Sequence, residues 1–267
     1  MEITHIVGYT LAIFVGITLG LIGSGGSILS VPILVYVMHV EPILATAYSL
    51  FIVGITALIG GIQKAKQKLV DFKKVFLFGI PTVISVFITR KIIVPQIPEI
   101  IPVSNGFFIS KGVLVMIVFA VVMIFASIRM IKPLKVKIVN RDAKVNYFRI
   151  IVQGIFIGFT AGFVGAGGGF LIIPALLFMA KTPMKMAVGT SLFIIATQSI
   201  IGFLGDISAN QIIDWKLVTV FTILSIVGMF IGNCISKKVD GEKLKTGFGW
   251  FVLLMGIYII ILEIFWK

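Results

Sequence analysis

The sequence predicts an all-α integral membrane protein of two inverted-topology repeats, each a glycine-tipped helical hairpin followed by three transmembrane helices. Three observations lead there. Hydrophobic residues fill 59% of the 267 positions and charged residues only 12%, whereas soluble domains carry about a quarter charged residues. The apolar positions gather into runs of membrane or half-membrane length. The second half of the chain also repeats the first.

The repeat is read directly from the residues. Ile13–Pro32, IFVGITLGLIGSGGSILSVP, lies over Ile155–Pro174, IFIGFTAGFVGAGGGFLIIP. Ile13/Ile155, Phe14/Phe156, Gly16/Gly158, Thr18/Thr160, Gly20/Gly162, Gly23/Gly165, Gly25/Gly167, Gly26/Gly168 and Pro32/Pro174 fall in register. The same offset aligns Ser49-Leu50-Phe51 with Ser191-Leu192-Phe193. One residue further on, Asp71-Phe72-Lys73 matches Asp214-Trp215-Lys216. Repeat one is 1–130, a basic cytoplasmic linker is 131–147, and repeat two is 148–267. Internal repeats of this kind are common in secondary transporters.

In the first half the apolar runs are 6–22, 27–38, 43–62, 75–93 and 107–128. In the second they are 150–165, 169–180, 186–204, 217–236 and 246–265. The last three of each half have enough residues, at about 1.5 Å each, to span roughly 30 Å of hydrocarbon. The first two are shorter and meet at a glycine cluster, either as one broken span or as a hairpin that enters and leaves on one side.

Charge orients the chain. The net charge is +13, but the basic residues stand between apolar runs rather than in a nucleic-acid-binding stripe, so they read as topology signals and lipid contacts. If each hairpin makes no net crossing, 18 of the 23 Lys and Arg residues face the cytoplasm. Both termini are then extracytoplasmic in a multi-pass plasma-membrane protein. A hairpin plus three crossings is an odd count of full spans, so the halves are inverted. The start of the chain does not read as a cleaved signal, because Glu2 and His5 stand where a basic region is expected.

The hairpin tips carry the chemistry. They read Gly23-Ser24-Gly25-Gly26-Ser27 and Gly165-Ala166-Gly167-Gly168-Gly169. Short arms place each tip deep in the bilayer, where non-helical backbone is tolerated only inside protein or beside a wet cavity. Each second arm then starts with free N–H groups and the positive end of its dipole. Two such starts, brought from opposite sides, form an anion site near the midplane without a charged side chain. The competing reading is that the glycines let helices pack closely in lipid.

These residues resemble the TauE/SafE sulfite exporter family of membrane permeases. The likeness rests on Gly-x-Gly-Gly-(Gly/Ser) with a proline six to eight residues on in both halves, and on Ala187-Val188-Gly189-Thr190-Ser191-Leu192. The first half departs from it, with Ser27 for the last glycine and Ala47-Tyr48-Ser49 opposite Gly189-Thr190-Ser191. The resemblance implies transport of sulfite or an organosulfur anion.

Ser49, Thr190 and Ser191 could donate to an oxyanion, or bond their own helices. The expected substrate-binding set is therefore Gly23, Ser24, Gly25, Gly26, Ser27, Ser49, Gly165, Gly167, Gly168, Gly169, Thr190 and Ser191. Gln198 and Asn233 should face the bundle interior. Cys234 is the only cysteine, which excludes an intrachain disulfide and a cysteine zinc site; it reads as a packing residue. His5 and His39 form no metal pair. No cofactor or metal is expected. The implied partners are a small anionic substrate and the lipid bilayer, and a homo-oligomer is compatible with the chain. Alternating-access transport is the leading function. A channel-like anion pathway is its nearest rival, and an intramembrane enzyme would need mid-span acids or bases that the sequence does not supply.

Overall fold

A computed structural model describes residues 2–23, 27–104, 107–131, 147–165, 169–178, 182–207, 213–236 and 241–265. Most of the basic linker, 132–146, lies outside these. Helices dominate. The first half contains α1 (Glu2–Ile22) and α2 (Ser27–Pro32), which runs on as a π-helical stretch, Ile33–Val37. Then come α3 (Pro42–Lys66) and α4 (Phe72–Ile88), the latter followed by a π-helical stretch Thr89–Ile93 and the short α5 (Val94–Gln96). A small antiparallel hairpin, β1 (Ile100–Ser104) with β2 (Phe107–Ser110), precedes α6 (Lys111–Ile131). The second half holds α7 (Tyr147–Val164), α8 (Gly169–Phe178), α9 (Met184–Ile207), α10 (Trp215–Ile235) and α11 (Gly241–Phe265).

Among the described residues, six helices are long and apolar enough to cross a membrane: α1, α3, α4 with its extension, α6, α9 and α10. The chain is therefore a helical membrane protein. Two details differ from the sequence expectation. The strands β1 and β2 interrupt the all-α plan and take the start of the expected 107–128 run. And α1, with 21 residues, reaches about 31 Å, so the first arm of the hairpin is long enough to cross on its own.

Local chemistry fixes the helix starts. Glu41 accepts from the amides of Ile43 and Leu44 at 3.1 and 2.9 Å, with Pro42 beside it in the first turn of α3. The matched aspartates of the repeat are both N-caps. Asp71 accepts from the Lys74 amide at 3.2 Å, and Asp214 from the Leu217 amide at 3.0 Å. The Asp-(Phe/Trp)-Lys match is thus a capping signal in each half.

Packing crosses between the halves. α1 lies on α10 and α7 lies on α4, while α3 packs on α9 and α6 on α11. The α1–α10 and α4–α7 pairs approach closely because Gly16 and Gly158 leave no side chain between backbones: a Cβ at Gly16 would strike the Ser225 carbonyl, and one at Gly158 the Thr82 carbonyl. The packing role holds for these glycines. Outward, exposed Phe76, Ile80, Ile84 and Ile88 recur every four residues along α4, an apolar stripe suited to lipid. Cys234, read from the sequence as a packing residue, is also exposed, on the surface of α10. Gln198 and Asn233 are buried.

Candidate functional site

The two hairpin turns are built alike. At the end of α1 the Gly23 amide donates to the Leu19 carbonyl at 2.8 Å, and Gly23 has φ +79°. At the end of α7 the Gly165 amide donates to the Ala161 carbonyl at 2.9 Å, with φ +73°. Both are left-handed helix terminations, which glycine adopts without steric cost. Each rests on the third helix of the other half. A Cβ on Gly23 would meet Val188 Cγ1 at 2.8 Å, and one on Gly165 would strike the Thr46 side chain and Arg90 Nη2. Ser24, Gly25, Gly26, Gly167 and Gly168 lie outside the described residues.

The structure does not bring Gly23 and Gly165 to one place. α3 and α9 run antiparallel, with Gly54 against Ile200, Gly61 against Phe193 and Leu50 against Gly202. Gly165 sits at Thr46, near one end of α3. Gly23 sits at Val188, whose neighbour Gly189 faces Lys64 near the other end. Thr46 and Lys64 are separated by about 27 Å of helix. The expectation of a single midplane cluster is corrected for these two glycines. The reason is the length of α1 and α7, which carry the turns almost the whole way along the α3–α9 pair. What does converge is the second arms: α2, starting at Ser27, and α8, starting at Gly169, pack against one another.

The hydroxyls divide in the same way. Ser49 is buried and shares a hydrogen bond with Ser30 of α2, which ties the second arm to α3. Thr190 Oγ1 accepts from the Asp71 amide at 3.0 Å. Ser191 Oγ donates to the Val188 carbonyl at 2.8 Å in its own helix. Ser49 lies toward the Gly165 end, and Thr190 and Ser191 toward the Gly23 end.

Two residues that the sequence does not single out stand here. Tyr48, opposite Thr190 in the repeat, accepts from the Asp214 amide at 2.7 Å, as Thr190 does from Asp71. The charge count groups Arg90 with the few extracytoplasmic bases, yet it is 1% exposed and paired with Asp206 at 3.2 Å. Its signal is present in the sequence, as an ionisable residue within the apolar run 75–93, where charge is costly and rare. On the other side Asn233 donates to Gln63 Oε1.

Comparison with known proteins agrees with a transporter. The chain is 28% identical over 253 residues to a "Probable membrane transporter protein" of Xylella fastidiosa, covering 92% of this chain and 91% of that one. It is 28% identical over 279 residues to one from Methanocaldococcus jannaschii, covering 98% of both. A third, from Bacillus subtilis, is 26% identical over 275 residues, covering 96% of this chain and 97% of that one. No solved structure matches the chain. The family model described as "Sulfite exporter TauE/SafE" matches residues 9–259, and the chain belongs to that family of membrane proteins.

Proposed function

We propose that this protein moves a small anion, sulfite or an organosulfur anion, across the plasma membrane by alternating access. Its halves act as inverted-topology repeats with both termini extracytoplasmic. The observation that carries the reading is the contact of α2 with α8, each of which begins at a glycine cluster. Helix starts expose backbone N–H groups and a positive dipole end, and glycine lets an anion approach them. The site is thus centred on the starts of the second arms, Ser27 and Gly169, with the neighbouring glycines lining the approach.

Reciprocal contacts support the inverted arrangement. Gly23 on Val188 answers Gly165 on Thr46, and the Asp71 bond to Thr190 answers the Asp214 bond to Tyr48. A pair of structures related in this way lets one half rock against the other around a fixed site.

Purified protein in liposomes tests the substrate class. Radiolabelled sulfite flux should exceed that of chloride and should be inhibited by excess unlabelled organosulfonate. Equal permeability to chloride and sulfite, without saturation, would instead identify a channel-like pathway.

A further inference from the structure

All polar contacts of Arg90 fall on one of its three nitrogens. Nη1 donates to Thr46 Oγ1 at 2.9 Å and lies 3.2 and 3.5 Å from the two oxygens of Asp206. Nε and Nη2 are fully buried and have no hydrogen-bond partner among the described residues. Those two nitrogens form the side edge of the guanidinium, whose parallel N–H groups match two oxygens carried on one atom. Nη2 lies directly against Gly165, where any Cβ would collide with it. The residue stands in the π-helical stretch Thr89–Ile93, a rare backbone form that occurs frequently at functional sites. A buried cation with three of its five N–H donors unmet is costly to a fold, so this edge asks for a ligand.

The other half lacks the charge. The offset that matches Asp71 to Asp214 puts Asn233 opposite Arg90, and Asn233 spends its amide on Gln63. Of these two matched positions, only Arg90, at the Gly165 end, carries a charge.

We propose that Arg90 binds the travelling anion at the Gly165 end of the pathway, through its Nε–Nη2 edge, before or after the anion visits the arm starts. The ligand class is an oxyanion with two oxygens on one centre: a sulfite, sulfonate or carboxylate group. Asp206 is the resident counter-charge, which holds Nη1 in place and keeps the anion weakly bound enough to leave. This rests on the anion-transport reading above and adds a side-chain cation to it.

The test uses purified full-length protein and sodium sulfite, with binding read by calorimetry and folding by thermal melting. The double variant Arg90→Gln/Asp206→Asn removes both charges and leaves no buried ion alone, so it should melt near the wild type while binding sulfite about tenfold or more weakly. Asp206→Asn alone removes a like charge beside the anion and should tighten sulfite binding by about tenfold. Arg90→Lys keeps the charge but not the edge, and should lose sulfite binding while losing little for chloride. If the double variant binds sulfite as the wild type does, or Asp206→Asn leaves affinity unchanged, the pair is a structural tie and the inference is overturned. Failure of the wild type itself to bind sulfite would overturn the transport reading instead.

Discussion

The backbone N–H of Asp71 donates to the hydroxyl of Thr190 across 3.0 Å. Asp71 is the N-cap of α4, so the start of a helix in the first half hangs on α9 of the second. The Asp214 amide and the Tyr48 hydroxyl make the converse tie at 2.7 Å. Two aspartates thus serve twice, capping their own helices with their carboxylates while their amides bond the opposite half.

This gives a stability prediction. Thr190→Val should leave the Asp71 amide without its partner and cost about 1–3 kcal/mol. Thr190→Ser should retain the tie. Thermal melting of purified protein reads the difference, and equal melting of the Thr190→Val variant and the wild type would show that the tie contributes nothing.

The two turn glycines should differ in tolerance. Gly23→Ala and Gly165→Ala both force a left-handed backbone, at about 1–2 kcal/mol. At Gly23 the new methyl meets a Val188 side-chain tip, whereas at Gly165 it meets Thr46 close to its backbone and Arg90. Gly165→Ala should therefore melt at the lower temperature of the two. The reverse order would mean the Gly165 turn is looser than its contacts imply.

Charge near the arm starts should matter by sign. Neutralising Lys64, Arg149, Lys181 or Lys185 to Gln should alter apparent affinity only modestly, in a way that added salt removes. Ser24→Asp or Ser27→Asp should be far more harmful, because a fixed carboxylate would occupy the amides in place of the anion. Binding at low and high salt separates these cases. Loss of binding in any one of those Gln variants, with folding intact, would move the main site away from the backbone amides.

Topology is open to direct labelling. Cys234 must first be replaced by Ala, since it is exposed on the helix surface. In that background Asn140→Cys should resist an impermeant thiol reagent added to intact cells. Ready labelling from outside would reverse the orientation argued from the basic residues.

Much of the fold was legible because lipid imposes a coarse rule: ten apolar runs became helices, with ends within a few residues of those read from the sequence. The Asp71 and Asp214 match was visible as a repeat, and its meaning as caps followed from position. The β-hairpin was also written in the sequence, as Asn105-Gly106 between Ile100–Ser104 and Phe107–Ser110, the strongest short hairpin signal. Apolar character masked it. Arg90 was misplaced for a similar reason: it lies near the end of its run, where a base reads as a loop residue, and only the partners from α3 and α9 reveal burial. Arm length was underestimated because the apolar run starts at Ile6 while the helix already begins at Glu2. The convergence of α2 with α8, and the separation of Gly23 from Gly165, depend on contacts between halves that no single-chain periodicity encodes.

The central claim is that an anion crosses at the starts of the second arms. Uptake of radiolabelled sulfite into liposomes, by wild type and by Gly25→Leu and Gly168→Leu variants purified in equal amounts, tests it most directly. Wild-type uptake should saturate and should accelerate when unlabelled sulfite is loaded inside, and both leucine variants should reach the membrane yet show no uptake above protein-free liposomes. Wild-type uptake no greater than that of empty liposomes, or undiminished uptake in either leucine variant, would contradict the account.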